Sequence, residues 1–155
     1  MKKECILFTG LQASGKTTFF NRCFPDYVHV NLDTLHTRNK ERILMEQCFA
    51  AGTSFVIDNT NPTREDRRKY IEAAKEHEYR VIGYYFQSAI SACRERNSRR
   101  TGKAQVPFAA LASTYKALEL PDPDEGFDEL HYVRIDEDGF IVEPWKNEEE
   151  NNHEV

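Results

Sequence analysis

The sequence predicts an α/β protein with a mostly parallel central sheet of about five strands and helices on both faces. Two observations lead to this fold class. Short apolar segments of strand length alternate along the chain with longer segments of helical periodicity, and no segment is repeated. This alternation is typical of parallel strands joined by right-handed crossovers. The 155 residues, of which 39% are hydrophobic, suffice for one domain with one core.

The first half of the chain begins this alternation. A short apolar run, too short for a helix, ends at Gly10 and predicts a strand. Pro25 stops the helix that follows, and Gly52 ends a later helix whose apolar residues share one face. The predicted elements are a strand over 5–9, a helix over 15–23, a strand over 27–31, a helix over 41–51 and a strand over 54–57.

The second half continues the alternation. Thr63 and Asp66 have the spacing of a capping box, which marks the start of a helix. Pro107 can take a first helical position, and apolar residues then recur at helical spacing until Pro121. The predicted elements are a helix from Thr63 to His77, a strand over 81–86, a helix over 88–100, a helix after Pro107, and strands over 131–135 and 140–142 around a turn at Asp138-Gly139.

The loop after the first strand carries a phosphate-binding motif. Gly10-Leu11-Gln12-Ala13-Ser14-Gly15-Lys16-Thr17 has the spacing G-x-x-x-x-G-K-[ST], in the required position between a strand and a helix. Glycines let such a backbone curl until several N–H groups point at one polyphosphate. We expect Lys16 to contact the β- and γ-phosphates and Thr17 to bind Mg²⁺. The residues expected to contact ATP are Gly10, Gln12, Ala13, Ser14, Gly15, Lys16, Thr17 and Thr18.

Charge and cysteine content narrow the class of protein. The net charge is −5, but residues 121–155 hold 13 acidic and 2 basic side chains, so the residues before them are net basic. A basic region suits a polyanionic substrate or ATP alone. The chain has no run of about 18 apolar residues, no secretion signal and no C-x-x-C pair, so we expect a cytoplasmic protein without membrane contact. One domain is expected over 1–146, with an acidic, disordered tail over 147–155.

Two aspartates follow predicted strands, at the sheet edge where α/β proteins build their sites. Asp33 follows the strand over 27–31 and can accept a proton from an acceptor hydroxyl, although an acidic residue there can also cap the next helix. Asp58 follows the strand over 54–57. It can support Mg²⁺ through water or position the acceptor, although the run Asp-Asn-Thr-Asn-Pro also favours a turn.

Basic residues cluster in two places. Arg67 and two neighbouring arginines lie within one turn of the helix that begins at Thr63, where they either form a solvated face or bind substrate phosphate. Arg99, Arg100 and Lys103 lie in a segment that can close over ATP as a lid. Cations near a helix C-terminus are also favoured by the helix dipole, without any function.

Four motifs thus follow one another in order. After the phosphate loop come Val30-Asn31-Leu32-Asp33-Thr34-Leu35, Ile57-Asp58-Asn59-Thr60-Asn61-Pro62, and Arg96-Asn97-Ser98-Arg99-Arg100-Thr101-Gly102-Lys103-Ala104. Together they resemble the kinase domain of the polynucleotide kinase-phosphatase family. The fourth motif is similar to the lid of the phage members, which places a lid over 97–106, and 125–130 is similar to the family's last strand. The resemblance covers residues 5–135, and four ordered motifs are more specific than one.

The resemblance implies a three-layer P-loop fold with an arginine-rich lid, and it implies roles for single residues. Asp33 would be the general base on a 5′-hydroxyl. Arg100 would stabilise the transferring phosphoryl group together with Lys16, and Arg99 would contact ATP. The residues expected to contact the acceptor are Asp33, Arg38, Asp58, Asn59 and Arg67.

The chain departs from the family at two positions. Leu32 stands where the family often has arginine, and His36 stands where the phage enzyme has one. Arg38 or Arg42 can substitute for these arginines. The chain also lacks the acidic motif of the phosphatase domain, so removal of 3′-phosphates is not expected.

The motifs favour an ATP-dependent kinase that phosphorylates the 5′-hydroxyl of a DNA or RNA end. A second hypothesis keeps the fold but takes a small-molecule hydroxyl, of a nucleoside, sugar or nucleotide sugar, as in the similar zeta-toxin and gluconate-kinase families. The missing arginines favour this second hypothesis. A third hypothesis is an ATP-responsive binding module without an acceptor, against which Asp33 and the lid arginines argue.

Overall fold

The computed structural model of the chain describes residues 2–137 and 139–146. In this part of the chain the strands are β1 (Glu4–Thr9), β2 (Val28–Val30), β3 (Phe55–Ile57), β4 (Arg80–Phe86), β5 (Glu129–Asp136) and β6 (Gly139–Pro144). They form one sheet in the order β2-β3-β1-β4-β5-β6. The first five strands of this order are parallel, and β6 pairs antiparallel with β5 at the edge. The predicted mostly parallel sheet is confirmed.

Six α-helices connect these strands in the described residues. They are α1 (Lys16–Cys23), α2 (Leu32–Leu35), α3 (Arg38–Ala51), α4 (Arg64–Glu76), α5 (Ile90–Ser98) and α6 (Phe108–Ala117). Short 3₁₀ turns lie at Gly102–Ala104 and Pro123–Glu125. None of the helices in this part of the chain has the length and apolar character of a membrane span.

Helices cover both faces of the sheet, and the alternation of side chains along β1 shows which helices cover each face. Cys5 and Leu7 point to the face of the sheet that α3 and α4 cover, whereas Ile6 and Phe8 point to the face that α1 covers. Successive side chains of a strand lie on opposite faces, so a strand buried on both sides is apolar throughout. This explains the continuous apolar run in the sequence and gives the expected three-layer arrangement.

The parallel strands position the functional loops at one edge of the sheet. β1, β2 and β3 are neighbours, and their carboxyl ends lead into the phosphate loop, into α2 and into the Asp58 turn. Side chains that are far apart in sequence therefore meet at this edge.

The main difference from the predicted elements lies after β2. The prediction left this segment without a helix until 41, but α2 begins at Leu32 and α3 begins at Arg38. Both helices have side-chain caps: the oxygen of Asn31 accepts from the Thr34 N–H, and that of Thr37 accepts from the Lys40 N–H. Capping stabilises helix starts that apolar periodicity does not reveal.

One smaller difference concerns the second half of the chain. The helix predicted over 88–100 is shorter, as α5 spans Ile90–Ser98. Asp138 of the predicted turn and the acidic tail over 147–155 lie outside the described residues.

Candidate active site

The phosphate loop has the curled backbone that its sequence predicts. Ala13 and Gly15 have positive φ angles of 63° and 98°, and Gly15 caps α1. A Cβ atom on Gly10 would lie 2.9 Å from Cβ of Phe86. Glycine at position 10 therefore lets the loop approach β4, and glycine at position 15 allows the turn into the helix. Successive N–H groups in such a curl form a concave site for anions.

Lys16 is turned into this loop. Its ammonium group donates hydrogen bonds to the carbonyl oxygens of Gly10 (3.0 Å) and Leu11 (2.6 Å), and its Nζ lies 3.5 Å from the hydroxyl of the buried Ser14. Burial lowers the pKa of Lys16 to about 8, and the nearby charge of Asp58 opposes this shift. A buried cation held by neutral oxygens is a favourable partner for a phosphate.

Thr17 and Asp58 meet beside the loop. The hydroxyl of Thr17 donates to Oδ2 of Asp58 at 2.8 Å. Asp58 is 1% exposed, and its other oxygen, Oδ1, has no hydrogen-bond partner among the described residues. A hydroxyl and a carboxylate with an open oxygen fit Mg²⁺, which is commonly held by one or two protein oxygens together with water and phosphate oxygens. These residues therefore suit Mg²⁺, which is one of the two roles that the sequence left open for Asp58, the other being to position the acceptor.

His29 is a residue that the sequence did not single out. Its Nε2 lies 2.7 Å from Oδ2 of Asp58, and its ring stacks on that of Phe20 with centroids 4.0 Å apart. His29 lies in β2, next to β3, whose end carries Asp58. The alternation of β2 places His29 on the α1 face, but its partner depends on the order of the strands and was not evident from sequence.

Asp33 lies on the first turn of α2, exposed to solvent. Two asparagines hold this short helix to the loop after β3. The amide of Asn31 donates to the carbonyl of Asp58 at 2.7 Å, and the Leu32 N–H donates to the side-chain oxygen of Asn59 at 3.0 Å. The charge of Asp33 also acts on Lys16, which raises the Lys16 pKa slightly against the effect of burial. The hydrogen bonds of Asn31 and Asn59 thus attach α2 to the loop after β3, whose Asp58 contacts Thr17 beside the phosphate loop.

Arg38 and Asn59, both predicted to bind the acceptor, lie near this helix. The Arg38 guanidinium donates to the hydroxyl of Tyr70 at 2.8 Å and to the carboxylate of Glu41 at 3.2 Å, while its side chain remains 60% exposed. Asn59 donates to the same carboxylate. Arg38 can therefore still reach a ligand.

Arg67 requires a correction. It is 0% exposed, and its guanidinium donates to both carboxylate oxygens of Glu125, at 2.9 and 3.1 Å, and to the carbonyls of Asn61 and Pro62. All its contacts are internal, so it is not accessible to an acceptor phosphate. Arg67 instead fixes the loop after β3 to the 3₁₀ turn Pro123–Glu125.

The predicted lid is an ordered loop. The side-chain amide of Asn97 donates to the carbonyl of Val106, and its oxygen accepts from the Val106 N–H, which closes the segment 97–106. Arg100 lines a cavity of about 450 Å³ beside the phosphate loop. Other residues that line this cavity are Ala13, Gly15, Thr18, Arg22, Arg96 and Phe140.

Arg96, rather than Arg99, accompanies Arg100 at this cavity. Arg96 donates to the carbonyl of Ala13 at 2.6 Å, whereas Arg99 is exposed and pairs with Glu95. Gln12, also expected at the ATP, donates to the hydroxyl of Thr114 at 3.0 Å and links the loop to α6.

The phosphate loop at the edge of a mostly parallel sheet defines the chain as a P-loop protein with a kinase-like α/β fold. The family follows from a comparison with family models. The model described as an AAA domain matches residues 5–121, and the chain belongs to this AAA domain family.

Two relatives are similar to most of the chain. The bifunctional polynucleotide phosphatase/kinase of Schizosaccharomyces pombe is 31% identical over 136 residues, which cover 84% of this chain and 33% of the relative. The putative bifunctional polynucleotide phosphatase/kinase of Acanthamoeba polyphaga mimivirus is 32% identical over 155 residues, covering 94% of this chain and 37% of the relative. The chain therefore spans about a third of the length of these relatives.

Solved structures share the fold. A sugar kinase from Janibacter sp. HTCC2649 has a TM-score of 0.64 at 20% identity, with 84% of this chain and 85% of that chain covered. Kti12 of Chaetomium thermophilum, in complex with ADP-AlF3, has a TM-score of 0.65 at 19% identity, with 86% and 92% covered. The P-loop kinase-like fold predicted from the sequence is confirmed.

Proposed function

We propose that the chain transfers the γ-phosphate of ATP to the 5′-hydroxyl of a DNA or RNA end. The observation that carries this proposal is the attachment of α2, the helix of Asp33, to the loop after β3, because Asp58 of that loop contacts Thr17 beside the phosphate loop. The similarity to two relatives named polynucleotide phosphatase/kinase supports a polynucleotide acceptor.

The donor half uses the phosphate loop and the lid. The loop N–H groups, the N-terminus of α1 and the Lys16 ammonium bind the β- and γ-phosphates. Thr17 and Asp58 would hold Mg²⁺, which would neutralise charge on these phosphates. Arg100, with Arg96 beside it, faces the cavity next to the loop and stabilises the charge on the transferring group.

The acceptor half uses Asp33. The exposed carboxylate accepts the proton of the 5′-hydroxyl as its oxygen attacks the γ-phosphorus in line with the leaving oxygen. Arg38, partly exposed near the start of α3, binds a phosphate of the acceptor strand and takes the place of the arginines absent at Leu32 and His36. Asn59 supports the helix on which Asp33 lies.

A kinase of a small-molecule hydroxyl is the second candidate function. Arg67 is buried in an ion pair, and Leu32 and His36 replace arginines, so fewer cations are available to a polyanionic strand. The fold is also that of a sugar kinase. A small neutral acceptor needs no such cations.

Transfer of labelled γ-phosphate from ATP to 5′-hydroxyl oligonucleotides, compared with nucleosides and sugars, tests the proposal. We expect labelling of DNA or RNA ends, and a strongly reduced but measurable rate of labelling in Asp33→Ala. Asp26→Ala is the matched control, because Asp26 is exposed before β2, at the opposite end of this strand. Labelling only of small acceptors would favour the second function, and full activity of Asp33→Ala would exclude this role of Asp33.

The expected cytoplasmic location forms part of the proposal. All four cysteines are free thiols, as is usual in a reducing compartment. ATP is also available there.

A further inference from the structure

A buried carboxylate lies behind the acceptor side of the site. Glu41, on the first turn of α3, is only 4% exposed. Its oxygens accept hydrogen bonds from the hydroxyl of Tyr70 (2.9 and 3.0 Å), the guanidinium of Arg38 (3.2 Å) and the amide of Asn59 (3.2 Å). We refer to these four residues as the Glu41 network. A buried carboxylate is costly unless donors surround it, and here three side chains supply them.

The phenol of Tyr70 keeps its proton throughout the physiological range. Burial is the main cause that raises the pKa of Tyr70, and the charge of Glu41 raises it further. Tyr70 therefore donates to Glu41 and can at the same time accept from Arg38 at 2.8 Å. The carboxylate is thereby held in one place between α3 and α4.

Glu41 determines which way the Asn59 amide points. An ionised carboxylate only accepts hydrogen bonds, so the Asn59 nitrogen must face it and the Asn59 oxygen must face away. That oxygen accepts from the Leu32 N–H at 3.0 Å, at the start of the turn that carries Asp33. A flipped amide would place two donors against each other at Leu32 and two acceptors against each other at Glu41. The network thus connects Glu41 to α2 through one bridging residue.

Glu41 also orients Arg38 directly. One nitrogen of the guanidinium is bound by Glu41 and Tyr70, while the side chain stays 60% exposed. An arginine fixed along one edge presents its remaining donors in a defined direction, which reduces the entropy lost when it binds a phosphate.

We propose that Glu41 is a positioning residue of the acceptor site, which orients Asp33 through Asn59 and orients Arg38 by direct contact. This inference rests on the proposed function, in which Asp33 accepts the proton and Arg38 binds the acceptor. Two different effects follow. Loss of Glu41 disturbs both Asp33 and Arg38, whereas loss of the Asn59 side chain disturbs Asp33 alone.

Steady-state kinetics with a 5′-hydroxyl oligonucleotide separate these effects. We expect Glu41→Ala to lower kcat by about tenfold to a hundredfold and to raise the KM for the acceptor, because small misplacements of reacting groups have effects of this size. Asn59→Ala should lower kcat with little change in the acceptor KM. The KM for ATP should stay unchanged in both variants. Glu41→Gln keeps one acceptor oxygen but turns an amide donor toward Arg38 or Asn59, so its loss of activity should lie between those of wild type and Glu41→Ala.

Two controls separate positioning from a general loss of structure. Glu46→Gln alters another carboxylate of α3, one that is exposed and pairs with Arg42, and should behave as wild type. In the Asp33→Ala background, Glu41→Ala should lower the acceptor-saturated kcat no further, because the group that it positions is already absent. A further loss of kcat in the double variant would overturn the proposal.

Hydrogen exchange at the amides of residues 32–35 tests the same link without any acceptor. Glu41→Ala and Asn59→Ala should accelerate exchange there by about tenfold or more, and Glu46→Gln should not, since local opening controls exchange. Unchanged exchange in the first two variants would overturn the proposal. If wild type phosphorylates no oligonucleotide, the proposed function fails, while the exchange rates still decide whether Glu41 positions α2.

Discussion

The hydroxyl of Thr17 donates a 2.8 Å hydrogen bond to Asp58, which lies 41 residues further along the chain. This bond joins the end of the phosphate loop, which follows β1, to the residue that follows β3. The strands β1 and β3 are neighbours in the sheet. The second oxygen of Asp58 has no hydrogen-bond partner in the described part of the chain, so this oxygen is available to contact a cation.

Asp58→Asn should weaken the binding of ATP in the presence of Mg²⁺ by about tenfold or more, since loss of a carboxylate at or beside a metal has effects of this size. Binding of ATP in the presence of a chelator should change little. Calorimetric titration with and without Mg²⁺ measures the difference, with Asp26→Asn as control. An equal loss under both conditions would contradict a role of Asp58 toward the metal.

The affinity for ATP should fall as the pH rises above 8. Burial lowers the pKa of Lys16 to about 8, and the phosphates bind its charged form. Below this pH the ammonium is already present. Above it, binding must take up a proton, so the affinity should decrease by up to about tenfold for each pH unit.

Titrations of a fluorescent ATP analogue between pH 7 and pH 9.5 measure this dependence. Lys16→Met should bind more weakly and should lose the pH dependence over this range. A wild-type affinity that stays constant to pH 9.5 would show that the charge of Lys16 is not lost there.

Arg67→Met should destabilise the fold by about 3 to 5 kcal/mol, because it leaves the carboxylate of Glu125 buried without its cation. The free energy of unfolding in urea measures this loss. Arg64→Met removes a partly exposed ion pair with Asp124 and should have a much smaller effect. Adding Glu125→Leu to Arg67→Met should recover part of the stability, whereas additive losses would argue against a coupled pair.

Gly15→Ala should abolish nucleotide binding and destabilise the protein. The backbone at Gly15 has a φ angle of 98°. A Cβ atom added there would lie 3.0 Å from Ile135 Cδ1 and from Phe140 Cε1. Gly52→Ala is the matched control, because Gly52 also has a positive φ angle but nothing within 4 Å of the added atom. It should lose only about 1 kcal/mol of stability from the left-handed backbone and should bind ATP normally. Thermal unfolding and ATP binding distinguish the two variants.

Arg96→Ala and Arg100→Ala should each lower the rate of phosphoryl transfer by about tenfold or more, since both residues line the cavity beside the phosphate loop. Arg99→Ala should remain close to wild type, because Arg99 is exposed and pairs with Glu95. Single-turnover transfer rates compare the three variants. A larger loss in Arg99→Ala than in Arg96→Ala would restore the original assignment of Arg99 to the ATP.

The phosphate loop and most of the strands and helices, though not α2 or the start of α3, could be predicted from the sequence alone. Gly10–Thr17 is contiguous, and its glycines and lysine act through local backbone geometry, so their positions could be read directly. The apolar run of β1 and the capping box at Thr63 likewise depend on near neighbours in the chain. The roles of Lys16, Asp33 and Arg100 in catalysis stay predictions.

Only the tertiary structure decided which distant side chains meet. His29 contacts Asp58 because β2 lies beside β3. Arg67 is buried because the turn that carries Glu125, 58 residues further along the chain, packs against it. Glu41 orients Asn59 because α3 packs beside the loop after β3. A local pattern fixes how a segment folds and which face is apolar. Which distant side chains come into contact depends on the order of the strands and the packing of the helices. Both result from the burial of apolar surface across the whole chain.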